Sequence, residues 1–467
     1  MSMLEILTKL LFLYLPFQIA LNPAEGFDLA SVRIIIPLLF IAWLIDGLKN
    51  KKIIIPNNLT FFLLISFLFL TSFSLFFAEN FVWGLRKLIF LFSIFPLFFV
   101  VHAIFSSNQA KKLSLLKFTA LGGVFTALLG IIQFLLQLII PLNKLYSAWA
   151  IIIVPFLGNS FSQAVLTNPS WLVNVGGHTL LRATAFFPDP HMLAFYLNIT
   201  GLISLGIYFS QQEYDLRTSP LPLLEGEMPT GRGGGKLTIY FSKHLSPKEI
   251  KNKKNYYLFF SIIIFLASFL TFSRGGYLGL IAGLLFFGFF TFKSKLKYFF
   301  NNAKRVISLI FILITFSLIL AIPNPITNRL TSSFDLSEGS NTGRIETWKQ
   351  SLEIIKANPT LGVGLGNYSL SIKPSANYRE PIYSHNTFLD IAAETGILNA
   401  LVWLLLFLFS IINFTRGFII NNDFIDLALV SALVSLSIHS LFETAIFSVH
   451  ILPLIILILS LNNSKQN

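Results

Sequence analysis

LTFFLLISFLFLTSFSLFF, running from Leu59 to Phe77, holds no charged residue over its whole length. A bilayer's hydrocarbon core is crossed by about 20 helical residues, so this run has the length and chemistry of one crossing. It has to be helical there, because lipid satisfies neither an open N–H nor an open C=O. The runs Phe118–Ile140 and Ile397–Phe414 read the same way.

Working outward from these runs, hydropathy predicts helices near residues 4–20, 34–48, 59–77, 88–105, 118–140, 192–209, 257–272, 277–292, 306–322, 397–414, 427–441 and 446–461. The expected fold is all-α: one polytopic integral membrane domain over 1–467, with about 12 transmembrane helices and a partly helical outer loop. Charged residues make up 12% of the chain and the mean hydropathy is +0.73. Soluble domains are roughly 25% charged, which excludes a soluble enzyme. The chain has no cysteine, so disulfides, thiolate metal sites and cysteine nucleophiles drop out together. Leu4–Ala20 lacks a small-residue cleavage site and is expected to stay as the first helix.

The net charge of +13 is scattered over short loops and gathers in no single stripe, which points to membrane orientation and away from nucleic acid. Alternate short loops carry Lys49, Lys51, Lys52, Lys111, Lys112, Lys117, Lys293, Lys295, Lys297, Lys304, Arg305 and Arg416. The opposite short loops hold Arg86, Lys87 and Arg274. The positive-inside rule then makes the first set and both termini cytoplasmic, and leaves two long segments, 141–191 and 323–396, outside. Residues 210–256, with Ser219-Pro220-Leu221-Pro222 and the Gly231–Gly235 stretch, read as a flexible cytoplasmic insert.

The second outer segment has internal order. Ile345, Trp348, Leu352 and Ile355 recur at helical spacing, with Thr342 as a cap and Pro359 as a stop. Such a helix either rests on the membrane surface through Trp348 or presents Arg344 to a ligand. Gly362, Gly364 and Gly366 form a glycine-rich turn, read here as structural. Ser384 is expected to cap the next helix, placing His385 in its first turn, either as a neutral base beside an anion or as a merely exposed side chain. Arg182, Arg274, His439 and Glu443 fall on the same side. Each arginine alone reads as an interfacial anchor. Several around one cleft suit a diphosphate, whose oxygens match the planar guanidinium fork.

These stretches resemble the O-antigen ligase and O-antigen polymerase superfamily of bacterial inner-membrane glycan transferases. The resemblance covers the C-terminal two thirds. It rests on Arg182–Ala194, on Ser273-Arg274-Gly275, and above all on the outer loop, which reads Arg344-x-x-x-Trp348, then Asn358-Pro359-x-x-Gly362-x-Gly364-x-Gly366, then His385-Asn386-x-x-Leu389 and Glu394-x-Gly396. It implies an inverting enzyme without metal or nucleotide cofactor, which moves a glycan from a polyprenyl-diphosphate-linked donor to a glycan or lipid A-core-like acceptor at the outer face of the inner membrane. By the same resemblance, Arg182, Arg274 and Arg344 hold the diphosphate, His385 activates the acceptor hydroxyl, and Asn386, His439 and Glu443 support them. Two features depart from the pattern: His191 stands where relatives commonly have asparagine, and the 210–256 insert is long. A membrane transporter or lipid-linked glycan flippase, and a protein O-oligosaccharyltransferase, remain alternative readings. Ligase versus polymerase, sugar identity and oligomeric state are not legible in the chain.

Overall fold

The computed structural model describes residues 2–24, 27–106, 108–167, 169–175, 177–218, 247–300, 339–378 and 382–462. The predicted crossing at 306–322 lies outside them, as do the centre of the 210–256 insert and the start of the 323–396 segment.

In chain order the first half forms α1 (Met3–Tyr14), the hairpin β1 (Ala20–Ala24) and β2 (Phe27–Ala30), α2 (Val32–Lys49), α3 (Leu59–Ser74), α4 (Phe81–Ile94), α5 (Leu97–Phe105) and α6 (Gln109–Leu136). The segment 141–191 follows as α7 (Leu142–Ile152), α8 (Val154–Leu157), α9 (Asn159–Thr167) and the antiparallel hairpin β3 (Leu172–Val175) and β4 (His178–Leu181). It is an ordered cap with its own apolar centre, in which Leu145, Trp149, Ile153, Trp171 and Leu181 pack together. Beyond it run α10 (Pro190–Thr218), α11 (Pro247–Phe269), α12 (Arg274–Phe300), α13 (Gly339–Ala357), α14 (Tyr368–Ile372), α15 (Thr387–Thr395), α16 (Ile397–Asn421), α17 (Phe424–His439) and α18 (Ile451–Ser460).

Among the described residues six helical stretches are long and apolar enough to cross a membrane: Leu59–Phe77, Phe81–Phe105, Gln109–Leu136, Pro190–Gln211, Arg274–Ser294 and Ile397–Asn421. The predicted spans near 257–272, 427–441 and 446–461 appear as shorter apolar helices, and those near 4–20 and 34–48 as α1 and α2. One crossing, Phe81–Phe105, is broken between α4 and α5 at Pro96, which has no N–H to donate. Side-chain caps start several of these helices. Asn58 accepts from Phe61 N at 2.9 Å and Asn108 from Lys111 N at 3.0 Å.

α10 lies at the centre, packed against α6, α11, α12 and α17. Helices in lipid associate by close packing, and small residues set the approach. A Cβ at Gly279 of α12 would come within 2.6 Å of the Ser435 carbonyl oxygen of α17, so only glycine admits this crossing. At one end of the bundle Lys9 and Lys111 pair with Glu5, Lys112 pairs with Asp426 at 2.5 Å, and Asn462 reaches Thr60 at 3.0 Å. The start of α1 and the finish of α18 are both at that end. The hairpins, α7–α9 and α13–α15 gather at the other, together with the starts of α10 and α12 and the finish of α17.

Candidate active site

The site is assembled at this second end by the first turn of α15. Asn386 is the N-cap, its side-chain oxygen accepting from Phe388 N at 3.0 Å and Leu389 N at 3.2 Å. This corrects the expected cap. Ser384 instead bonds locally to Asn386, accepting from its N–H at 3.1 Å and donating to its carbonyl at 2.9 Å. Both residue types cap well, and tertiary contacts decide between them. His385 therefore stands ahead of the helix in the left-handed region at φ 54°, outside the first turn. Such a conformation is uncommon for a non-glycine residue and is held here by its neighbours.

Those neighbours clamp α15 onto the loop after α17. Thr387 N donates to Ser440 O at 2.9 Å, and Thr387 Oγ1 donates to Glu443 O at 3.0 Å. Asp390 accepts from Ser384 N at 2.8 Å and from the Thr444 hydroxyl. Burial pushes the Asp390 carboxyl up to about 6, against those two donors.

The clamp delivers Glu443 to the centre of the cluster. Its carboxylate takes His385 Nδ1 at 2.9 Å on one oxygen and Arg344 Nη2 of α13 at 2.8 Å on the other, with His191 Nε2 at 3.7 Å. Burial alone would raise its pKa, but His191, His385 and Arg344 outweigh that and hold it well below the usual carboxylate range. In return the Glu443 charge raises the His385 imidazole above its ordinary value, against the opposing effect of burial. His385 itself is half-exposed, so its second ring nitrogen remains for a ligand.

Behind this pair lies a polar chain. His191 Nδ1 meets Ser273 Oγ at 2.8 Å, and Ser273 Oγ lies 3.4 Å from His439 Nε2. The His439 ring stacks on Phe195 at a centroid distance of 3.5 Å. Asp189 caps α10, accepting from His191 N and Met192 N at 2.8 and 2.9 Å. Its carboxyl is pushed up to about 6 by burial, with Glu443 adding to the rise.

The three predicted arginines separate into two kinds. Arg344 touches the cluster directly. Arg274, at the start of α12 and next to Ser273, donates to Asn341 Oδ1 at 3.1 Å and so ties α12 to α13. Arg182 is buried and donates to the backbone carbonyls of Thr271 at 2.7 Å and Ser170 at 2.8 Å, pinning the end of β4 to the α11–α12 turn. Asn386, His439 and Glu443 all fall in the cluster, Glu443 as its hub.

Asp189, His191 and Ser273 join the cluster as residues not expected from the sequence. The signal was present in Asp189-Pro190-His191, an acidic cap followed by proline at a helix start. The glycine-rich turn is structural: a Cβ at Gly364, where φ is +88°, would come within 2.3 Å of Ala78 Cα. α13 is already helical at Gly339, so Thr342 lies inside it, and Leu352 faces outward. The buried face instead carries Ser351, whose hydroxyl meets Tyr368 Oη at 2.7 Å.

Residues 259–404 match the family model described as O-antigen ligase. No curated protein matches the chain.

Proposed function

The chain belongs, through residues 259–404, to the O-antigen ligase and polymerase superfamily, and on that premise we propose that it transfers a glycan from an undecaprenyl-diphosphate-type carrier to an acceptor sugar at the outer face of the inner membrane. The observation that carries this reading is the Glu443 carboxylate shared between His385 and Arg344. A histidine oriented by a carboxylate through one nitrogen and open at the other is the arrangement of a general base.

In the proposed step the acceptor hydroxyl oxygen attacks the anomeric carbon and its proton passes to the free nitrogen of His385. The bond from that carbon to the carrier's diphosphate breaks, and the diphosphate leaves with the electron pair. Attack from the face opposite the leaving group inverts the anomeric centre. Glu443 stabilises the imidazolium as it forms. Arg274 and Arg344 neutralise charge building on the diphosphate, in the manner of preorganised electrostatic stabilisation, so that the step calls for no metal. Arg182 contributes by holding the α11–α12 turn, and with it Ser273 and Arg274, in place. The positive charge scattered at the opposite end of the bundle supports an outward-facing site with cytoplasmic termini.

The test is to delete the gene and complement it with the wild type, Arg274→Ala and His385→Ala. The expected result is loss of one surface glycan, accumulation of its lipid-linked precursor, and no rescue by variants that insert at normal levels. Unchanged glycan profiles in the deletion strain, or full rescue by His385→Ala, would overturn the reading.

A further inference from the structure

A cavity of about 390 Å³, with Tyr383 and Phe447 in its lining, opens between α2, α4, the β1–β2 hairpin and the outer loop. That size is within the roughly 300–1,000 Å³ of small-ligand sites. Much of its lining, including Gln18, Arg33, Trp83 and Arg86, comes from the N-terminal part of the chain, ahead of the residues that match the family.

Three observations define what it would hold. First, among the described residues its lining carries three cations, Arg33, Arg86 and Lys87, against two carboxylates. The two lining carboxylates are engaged, Glu394 by Lys87 through both oxygens at 2.7 Å and Asp28 by Phe161 N at 2.6 Å. Arg33 rests over Phe90 and donates to Ser93 Oγ, while Arg86 lies over Tyr378 at 5.0 Å. Neither meets a carboxylate among the described residues. Second, Gln18 and His450 line the cavity at 2% and 1% exposure, and Gln18 Oε1 and His450 Nδ1 have no hydrogen-bond partner among the described residues. Polar side chains with unused capacity beside a cavity suit a ligand with hydroxyl groups, which both donate and accept. Third, Trp83 and Tyr378 pack as a pair at 5.5 Å on the rim, an aromatic surface suited to the C–H face of a sugar ring.

We propose that this cavity seats the acceptor saccharide and that the acceptor carries an anionic group, a uronate or a sugar phosphate, held by Arg33 and Arg86. The guanidinium fork matches either anion. The inference rests on the glycan-transfer reading for the word acceptor, and it follows the chain geometry: Tyr383 is two residues before His385, and Phe447 is four after Glu443. The cavity lining and the cluster are thus joined through two short stretches of chain.

The test measures binding without donor, so it is read independently of whether transfer is observed. The full chain in nanodiscs of neutral lipid is titrated with a uronate-terminated tetrasaccharide, a phosphate-terminated one and a neutral analogue. At least one acidic probe should bind about tenfold more tightly than the neutral one, the size of one charge-assisted hydrogen bond. Arg86→Gln, at an exposed position, should erase that preference, and Trp83→Ala should weaken all three probes. Equal affinity for the acidic and neutral probes sinks the proposal, as does a preference that survives Arg86→Gln. Sugar binding lost on replacing neutral lipid with phosphatidylglycerol, and recovered in Arg86→Gln, would assign the cavity to lipid headgroups and overturn it too.

Discussion

His385 and Glu443 meet at 2.9 Å, imidazole Nδ1 to carboxylate Oε2, across 58 residues of chain. The contact orders two titrations in opposite directions, lowering the carboxyl and raising the imidazole. A base works only when deprotonated. The transfer rate should therefore rise with pH through a midpoint above the ordinary histidine value of about 6.5 and fall away on the acid side. Glu443→Gln removes the charge that raises His385, so the acid limb should move to lower pH while the plateau drops. A pH–rate profile of transfer in nanodiscs checks both. An acid limb unmoved by Glu443→Gln would remove His385 from the role of base.

The arginines should fail in different ways. Arg344→Lys keeps a charge but loses the planar fork, and transfer should drop by tenfold or more with thermal stability nearly unchanged. Arg182→Lys should lower the melting temperature in detergent, because two buried bonds to the Thr271 and Ser170 carbonyls are lost, at roughly 1.5–3 kcal/mol each for charged donors. Differential scanning fluorimetry beside a transfer assay separates the two effects. An Arg182→Lys protein that melts like wild type yet fails to transfer would move Arg182 to direct substrate contact.

Ser273→Ala breaks the link between His191 and His439. The expected result is a fall in kcat with KM little changed, since the serine orients side chains and does not face the open nitrogen of His385. Steady-state kinetics with a lipid-linked donor decides this.

Lys87 and Glu394 form a pair whose side chains are 14% and 5% exposed. Removing one partner of such a pair typically costs about 3–5 kcal/mol, because the other is left buried and uncompensated. Lys87→Met should thus be strongly destabilising and the Lys87→Met, Glu394→Leu double variant should recover most of the loss. Melting temperatures of the three proteins test the coupling.

Gly364→Ala asks a residue with a Cβ to adopt φ +88° against Ala78. A loss of about 1–3 kcal/mol is expected from the backbone alone, with more from the clash. Normal stability would mean that the turn relaxes away from Ala78 without consequence.

Much of the helical framework could be read from hydropathy, because a long uncharged run admits one structure in lipid. The run 59–77 was placed to the residue, and Pro359 lies just past the end of α13. Contacts remote in sequence were not legible. Nothing in the 384–387 stretch says that Asn386 and not Ser384 will cap α15, since that outcome depends on Thr387 and Asp390 gripping the loop at 440–444. The apolar spacing of α13 puts Leu352 on one face with Ile345, Trp348 and Ile355, whereas in the fold Leu352 is exposed and Ser351 is buried against the Tyr368 hydroxyl. His191 was noted only as a departure from a family pattern. Its place beside Glu443 follows from the packing of α10 against α17, which no local signal announces.

The position of Glu443 after both Arg344 and His385 in the chain has a consequence for the protein's birth. A ribosome releases this chain from the amino end, so Arg344 and His385 are made and threaded well before the carboxylate that aligns them. Until that acid arrives, an unfinished chain lacks the carboxylate that His385 and Arg344 share. On the proposed reading, transfer begins only once residue 443 has been inserted, and a fragment that ends before it is expected to be silent.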